Sequence, residues 1–168
     1  MIHKLNFKHL TISLIISLGT GILSELLTMS NMQTFDILSK LPLSPPSWLF
    51  PIIWLIFFAL MGISAYLIYE ENPTIFTEGI VLYGIQLAMN FVWFLMFFNA
   101  GKPFQALMVV HTGIYLRAFC VLIAIWLIIA MMIMEFAKVN RWAARLQIPY
   151  LLWMTFMLYV NFGVFLLN

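Results

Sequence analysis

LPLSPPSWLFPIIW, residues Leu41 to Trp54, sets four prolines and two tryptophans against the start of an apolar run. Proline is tolerated where a helix begins, because the first-turn amides have no intrahelical acceptor to lose. Tryptophan is at home at the boundary between lipid and water. The stretch reads as a stiff loop feeding a helix that starts near Trp48 and enters a membrane.

Composition outward from this stretch gives the same class. Of 168 residues, 64% are hydrophobic and 8% charged, which is incompatible with the surface of an ordinary water-soluble domain. The lipid bilayer is therefore the first partner. A net charge of +2, carried singly at the ends of apolar runs, gives no footprint for nucleic acid. The single cysteine, Cys120, lies inside an apolar run, which rules out an intrachain disulfide and a cysteine metal cluster and suggests a packing residue.

Crossing the hydrocarbon core takes about 20 apolar residues. Five runs meet that length, at about 10–29, 48–69, 80–98, 114–136 and 146–167. The fold expected is an all-α membrane protein, a five-transmembrane-helix bundle forming one domain over 1–168. Asn31 to Pro46 reads as the longest polar loop, Glu70 to Glu78 carries Pro73, Asn99 to Pro103 is a turn, and Lys138 to Arg145 is a basic connection. Lys4, Lys8, Lys138, Arg141 and Arg145 fall on the N-terminal side, against Lys40, Lys102 and Arg117, so the positive-inside rule favours a cytoplasmic N-terminus. The first run also fits a secretory signal with small residues at Gly19 to Gly21, but its apolar character continues through Leu27.

Polar side chains within spans must be satisfied inside a bundle or face a cavity. Gln86, Asn90, Trp93 and Phe97 recur at helical spacing in the third run, and Tyr150, Trp153, Met157 and Asn161 in the fifth. Phe50, Trp54, Phe58 and Met61 form a third stripe. Three such stripes suit a pocket for a flat apolar molecule, with amide and indole donors setting its orientation. They equally suit a packed core whose amides bond across helices.

The ordered motifs carry more than periodicity does. PLSPPSWLFPIIW, ALMGISAY at Ala59 to Tyr66, QLAMNFVWFLMFF at Gln86 to Phe98, PYLLW at Pro149 to Trp153, and Asn161 together closely resemble the translocator protein family. That family is also known as TspO, the tryptophan-rich sensory proteins or the peripheral benzodiazepine receptors. The resemblance runs from about Thr28 onward and implies a five-helix bundle, often dimeric. It also implies binding of porphyrins and other tetrapyrroles, of sterols in some members, and of synthetic benzodiazepine-type ligands, so porphyrin or haem is expected as a ligand and no cofactor as obligatory. By motif, Trp54 and Trp153 match the tryptophans that face the ligand, and Asn90 and Trp93 match the third-helix wall. The wider ligand-binding set comprises Trp54, Phe58, Asn90, Trp93, Phe94, Tyr150, Trp153 and Met157. Gly84 and Ala88 form a small-xxx-small pair suited to close helix approach in a homodimer.

Several residues depart from the family pattern. Phe94 replaces a usual serine, Phe58 replaces a common tyrosine, and Met157 stands where a small residue is typical. A flexible thioether at Met157 is expected to reshape the cavity. No Lys or Arg follows Tyr159, so the proposed sterol motif is unsupported. The Lys102 to Lys138 region exceeds the family length by roughly a dozen residues. A helix from Phe104 to Phe136 would span about 50 Å, so Lys102 to Gly113 is expected outside the lipid as a loop, an interfacial piece or extra helical turns. His111 and Arg117 read as boundary residues reaching toward headgroups. Glu25 reads either as a proton or ligand partner, or as a residue near a membrane edge or paired with an inward polar group.

For function, a receptor or sensor binding planar hydrophobic ligands stands first. Light-dependent porphyrin degradation through Trp54 and Trp153 stands second, on the resemblance alone. The inventory contains no paired carboxylates within spans, no histidine cluster with metal spacing and no phosphate loop, so hydrolysis, phosphoryl transfer and a metal site are not expected. A transporter of tetrapyrroles or sterols is the third class, and neither an inverted repeat nor paired broken helices support it. The expected location is a multi-pass position in a bacterial cell membrane.

Overall fold

The computed structural model describes residues 6–73, 77–98 and 113–168, with side chains at all of these except 33, 34 and 114. The expected turn at Asn99 to Pro103, His111, and all of the Lys102 to Gly113 segment except Gly113 lie outside the described residues. Among the described residues there are five helices: α1 (Phe7–Ile37), α2 (Leu49–Glu71), α3 (Glu78–Phe98), α4 (Ile114–Val139) and α5 (Arg141–Leu167). Each is long and apolar enough to cross a membrane. Neighbours pack in a closed ring, α1 on α2, α2 on α5, α5 on α4, α4 on α3 and α3 on α1. This ring encloses one interior.

The α1–α2 seam is held by hydroxyls on small residues. Ser13 Oγ donates to the Gly62 carbonyl at 2.7 Å, and Ser17 Oγ donates to the Phe58 carbonyl. Gly21 lies directly beneath the Phe58 ring, where a Cβ would come within 2.3 Å of Cδ2. Only a residue with no side chain allows that approach.

Helix α1 runs well past the expected end at 29. Asn31, Met32 and Phe35 are buried at helical spacing, and the Phe35 ring meets Phe50 edge-on at 5.1 Å. The last two turns of α1 thus belong to the core, and the supposed polar loop from Asn31 shrinks to residues 38–48. What remains of that loop is tied to the end of α5. The Asn168 amide bonds both the Ser39 amide and the Ser39 carbonyl, at 3.1 and 2.9 Å, and Tyr159 Oη donates to the Pro42 carbonyl at 2.8 Å. Leu41 packs onto Gly163, which has no Cβ to obstruct it.

The basic connection expected at Lys138 to Arg145 reduces to one residue. Asn140 ends α4 through its amide on the Phe136 carbonyl, and its side chain accepts from the Trp142 and Ala143 amides to start α5. An asparagine able to close one helix and cap the next removes any need for a loop. Helix α5 therefore begins at Arg141 rather than 146 and continues through Pro149, which stands on its outer surface. Cys120 also faces outward, contrary to the expected packing role, because its neighbours Ala118 and Leu122 occupy the inward face of α4.

Candidate functional site in the bundle interior

All three sequence stripes turn inward, with one change. Phe50, Trp54, Phe58 and Met61 on α2 and Gln86, Asn90, Trp93 and Phe97 on α3 are buried. On α5 the inward line is Tyr150, Met154, Met157 and Asn161, while Trp153 sits half-buried at its edge. A helix advances by 100° per residue, so the fourth residue after Tyr150 returns to the same face more closely than the third.

Trp54 lies at the centre of the aromatic group. Its ring is 5.7 Å from Trp93, 5.0 Å from Phe94, 6.0 Å from Tyr150 and 6.1 Å from Phe58, counted between centroids. Trp93 stacks on Phe97 at 5.1 Å with planes 14° apart. The expected residues Trp54, Asn90, Trp93, Phe94 and Tyr150 are therefore brought together. Phe58 touches Trp54 with one part of its ring and covers Gly21 of α1 with another, which makes it the wall on the α1 side. Met157 is buried on the α5 face two turns from Tyr150.

Phe57 was missed by the sequence reading, and it is the residue that joins Trp153 to the group. Its ring is 5.4 Å from Tyr150 and 6.1 Å from Trp153. Its position three residues after Trp54 places it on the adjoining face, a signal already present in the helical period. Phe35, Phe50 and Phe98 close the group toward the loop, with Phe50 and Phe98 5.6 Å apart.

Beneath the rings lies a hydrogen-bonded floor. Tyr150 Oη donates to Asn90 Oδ1 at 3.0 Å and accepts from Gln86 Nε2 at 3.2 Å, while Asn90 Nδ2 donates to the Gln86 carbonyl at 2.9 Å. Three residues from two helices thus fix one another. The indole Nε1 atoms of Trp54, Trp93 and Trp153 are buried and have no acceptor among the described residues. Asn161 and Gln147 also leave both side-chain polar atoms unpaired. Buried donors in an apolar interior are costly unless something accepts from them, so the arrangement suits a guest with acceptor atoms.

The sequence model of the TspO/MBR family matches residues 12–167. The chain belongs to that family. Among similar TspO/MBR proteins, the tryptophan-rich protein TspO of Chlorobaculum tepidum is 32% identical over 129 residues, covering 74% of this chain and 73% of its own. The tryptophan-rich sensory protein of Cereibacter sphaeroides is 30% identical over 136 residues, covering 81% and 77%. The translocator protein of Sus scrofa is 31% identical over 156 residues, covering 90% and 85%. Membership together with five apolar spans makes this chain a multi-pass integral membrane protein.

In this TspO/MBR chain the remaining sequence candidates separate by face. Gly84 and Ala88 both point out of the bundle, and a Cβ on Gly84 would meet nothing within 4 Å. Glu25 is half-buried with Oε1 shut away from solvent, and that oxygen accepts no hydrogen bond among the described residues. Arg117 is exposed near the start of α4, as expected of a boundary residue. No group of three metal-ligating side chains occurs among the described residues.

Proposed function

We propose that this protein binds a planar, apolar tetrapyrrole-type ligand among the rings of α2, α3 and α5 and acts as a membrane receptor or sensor for it. The carrying observation is that the Trp54 and Trp93 rings, 5.7 Å apart between centroids, each keep a buried indole N–H with no acceptor among the described residues, above the fixed Gln86–Tyr150–Asn90 floor. Flat aromatic faces supply dispersion over a large area, and the indole donors supply orientation. Porphyrin or haem fits these requirements through its flat apolar ring and through the acceptor oxygens of its carbonyl-bearing substituents. Trp54, Trp93 and Phe94 would hold one side, with Tyr150, Phe57 and Trp153 on the other. The names of the tryptophan-rich sensory and translocator relatives agree with a sensing or translocating role.

Titration of the purified protein with a porphyrin tests this by quenching of tryptophan emission. Saturable quenching, reduced in Trp54→Phe and Trp153→Phe, is expected, together with a rise in apparent Tm, because a ligand that binds only the folded state stabilises it. Equal, non-saturating quenching in all three proteins would end the proposal.

A homodimer through α3 is proposed on a separate observation, the outward face carrying Gly84 and Ala88 beside Val81 and Ile85. Small residues let two helix backbones approach closely in lipid, where packing rather than hydrophobicity drives association. Gly84→Leu is expected to turn a dimer into a monomer in mild detergent, measured by light scattering. An unchanged mass would remove α3 as the contact.

A further inference from the structure

We infer that Gln147 and Gln86 form a second, polar subsite below the aromatic site, which takes an uncharged hydrogen-bonding substituent of the ligand. This rests on the tetrapyrrole reading above and adds a rule of selection to it. Helices α2 and α5 run antiparallel with Phe57 opposite Tyr150, and Ser64 opposite Ala143, whose carbonyl accepts from Ser64 Oγ at 2.7 Å. The turn of α5 between those two anchors, with Gln147 on its inward face, therefore lies opposite Leu60 and Met61. Met61 Sδ in turn accepts from Gln86 Nε2 at 3.3 Å. Gln147 of α5 thus comes level with the thioether that Gln86 of α3 bonds.

Both amides are fully buried, yet they are incompletely used. Among the described residues Gln147 leaves Nε2 and Oε1 without partners, and Gln86 leaves Oε1 without one. That gives one donor and two acceptors at one level of an apolar interior. An orphaned amide costs stability comparable to several ordinary hydrogen bonds, so a residue kept in that condition belongs with a partner that arrives from outside. Met61 is the movable element. Its unbranched side chain changes rotamer without disturbing backbone, and a shift of Sδ opens the space between the two amides.

The charge of the partner follows from the surroundings. Every buried polar side chain among the described residues is neutral: serine, threonine, asparagine or glutamine. No buried cation is present among the described residues to receive a carboxylate, and an unpaired ion there would carry a large desolvation cost. The subsite therefore takes an ester, amide, hydroxyl or protonated acid, and rejects an ionised carboxylate.

Two porphyrin probes separate this rule from plain ring binding: etioporphyrin, whose substituents are all alkyl, and mesoporphyrin dimethyl ester, whose carbonyls accept hydrogen bonds. Kd is measured by fluorescence quenching for the unaltered protein and for Gln147→Leu, which keeps the bulk and removes the amide. The unaltered protein is expected to favour the diester by about tenfold, the worth of one buried hydrogen bond, and Gln147→Leu to lose that preference while holding etioporphyrin unchanged. Gln147→Leu is also expected to raise the Tm of the protein without ligand, which shows that the variant folds. Equal Kd ratios in the two proteins would overturn the subsite while leaving ring binding intact. Failure of both porphyrins to bind the unaltered protein would overturn both readings.

Discussion

The two halves of the bundle interior are built by different means. The half toward the α1–α2 loop is a mass of rings, Phe35, Phe50, Trp54, Trp93, Phe94, Phe97 and Phe98, meeting edge-on or stacked and leaving indole donors unpaired. The half toward the N-terminus is joined by directed bonds, with Gln86, Asn90 and Tyr150 in one network and Ser64 on the Ala143 carbonyl. Ring contacts are individually weak and tolerate displacement, whereas buried hydrogen bonds are costly to leave unmade. The ring half is thus suited to admit a guest, and the bonded half to hold the helices in place while it does so.

The largest effect is expected at Trp93, whose ring touches Trp54, Phe94, Phe97 and Phe98. Trp93→Ala is expected to cost about 3 kcal/mol or more through the cavity it leaves, read from denaturant unfolding in detergent. A loss below about 1 kcal/mol would mean that the ring half is loosely packed already. Gly21→Val attacks the same half from outside it. The added Cβ meets Phe58, which has Trp54 behind it, so overpacking of about 2 kcal/mol is expected by the same measurement.

Tyr150→Phe sharpens the contrast from the bonded side. It retains the ring contacts with Trp54 and Phe57 but leaves Asn90 Oδ1 and Gln86 Nε2 without their shared hydroxyl. A cost of about 1–2 kcal/mol is expected, with ring-based porphyrin quenching retained. If stability holds while quenching disappears, the floor serves the ligand rather than the helices.

The smallest effect is expected at the rim of the ring half, where Asp36 ties the loop. Its carboxylate accepts from the Ser47 hydroxyl and from the Ser47 amide at 3.2 Å, with Lys40 Nζ 3.7 Å away. The Ser47 hydroxyl is the main cause that holds the Asp36 carboxyl below the usual carboxylate range, helped by that amide and by Lys40. A group whose folded pKa is depressed lends its stability above the unfolded value, near pH 4, and loses it as pH falls through the folded value. Protection of the Ser47 amide from hydrogen exchange, taken relative to an unfolded chain at the same pH, is expected to fall on acidification below roughly pH 4, and to be low at every pH in Asp36→Ala. Protection in the unaltered protein that is indifferent to pH would show that the loop is held by Asn168 and Tyr159 instead.

Much of this was legible in the chain. Five apolar runs gave five spanning helices, and the periodic placement of Phe50, Trp54, Met61, Gln86, Asn90 and Trp93 predicted their inward faces. Errors fell where one residue overrode composition. Asn31 looked like the start of a loop but is buried on a continuing helix, because Phe35 supplies a further ring contact one turn later. Lys138 to Arg145 looked like a basic connection, but Asn140 alone turns the chain. Phe57 and Gln147 carried a signal, the helical period beside Trp54 for one and a polar side chain within a span for the other, but which partner each would meet depends on the register of α2 against α5.

By itself the sequence determined that this chain crosses a membrane five times, which family it resembles, and which faces of α2 and α3 avoid lipid. Those properties depend on length, hydropathy and helical period, all local to a segment. Only the tertiary structure decided that Tyr150 of α5 would bridge Gln86 and Asn90 of α3, and that Gln147 would come level with Met61. Such pairings depend on the register and ring order of separate helices, and those are set by the small residues, caps and ring contacts where the helices meet.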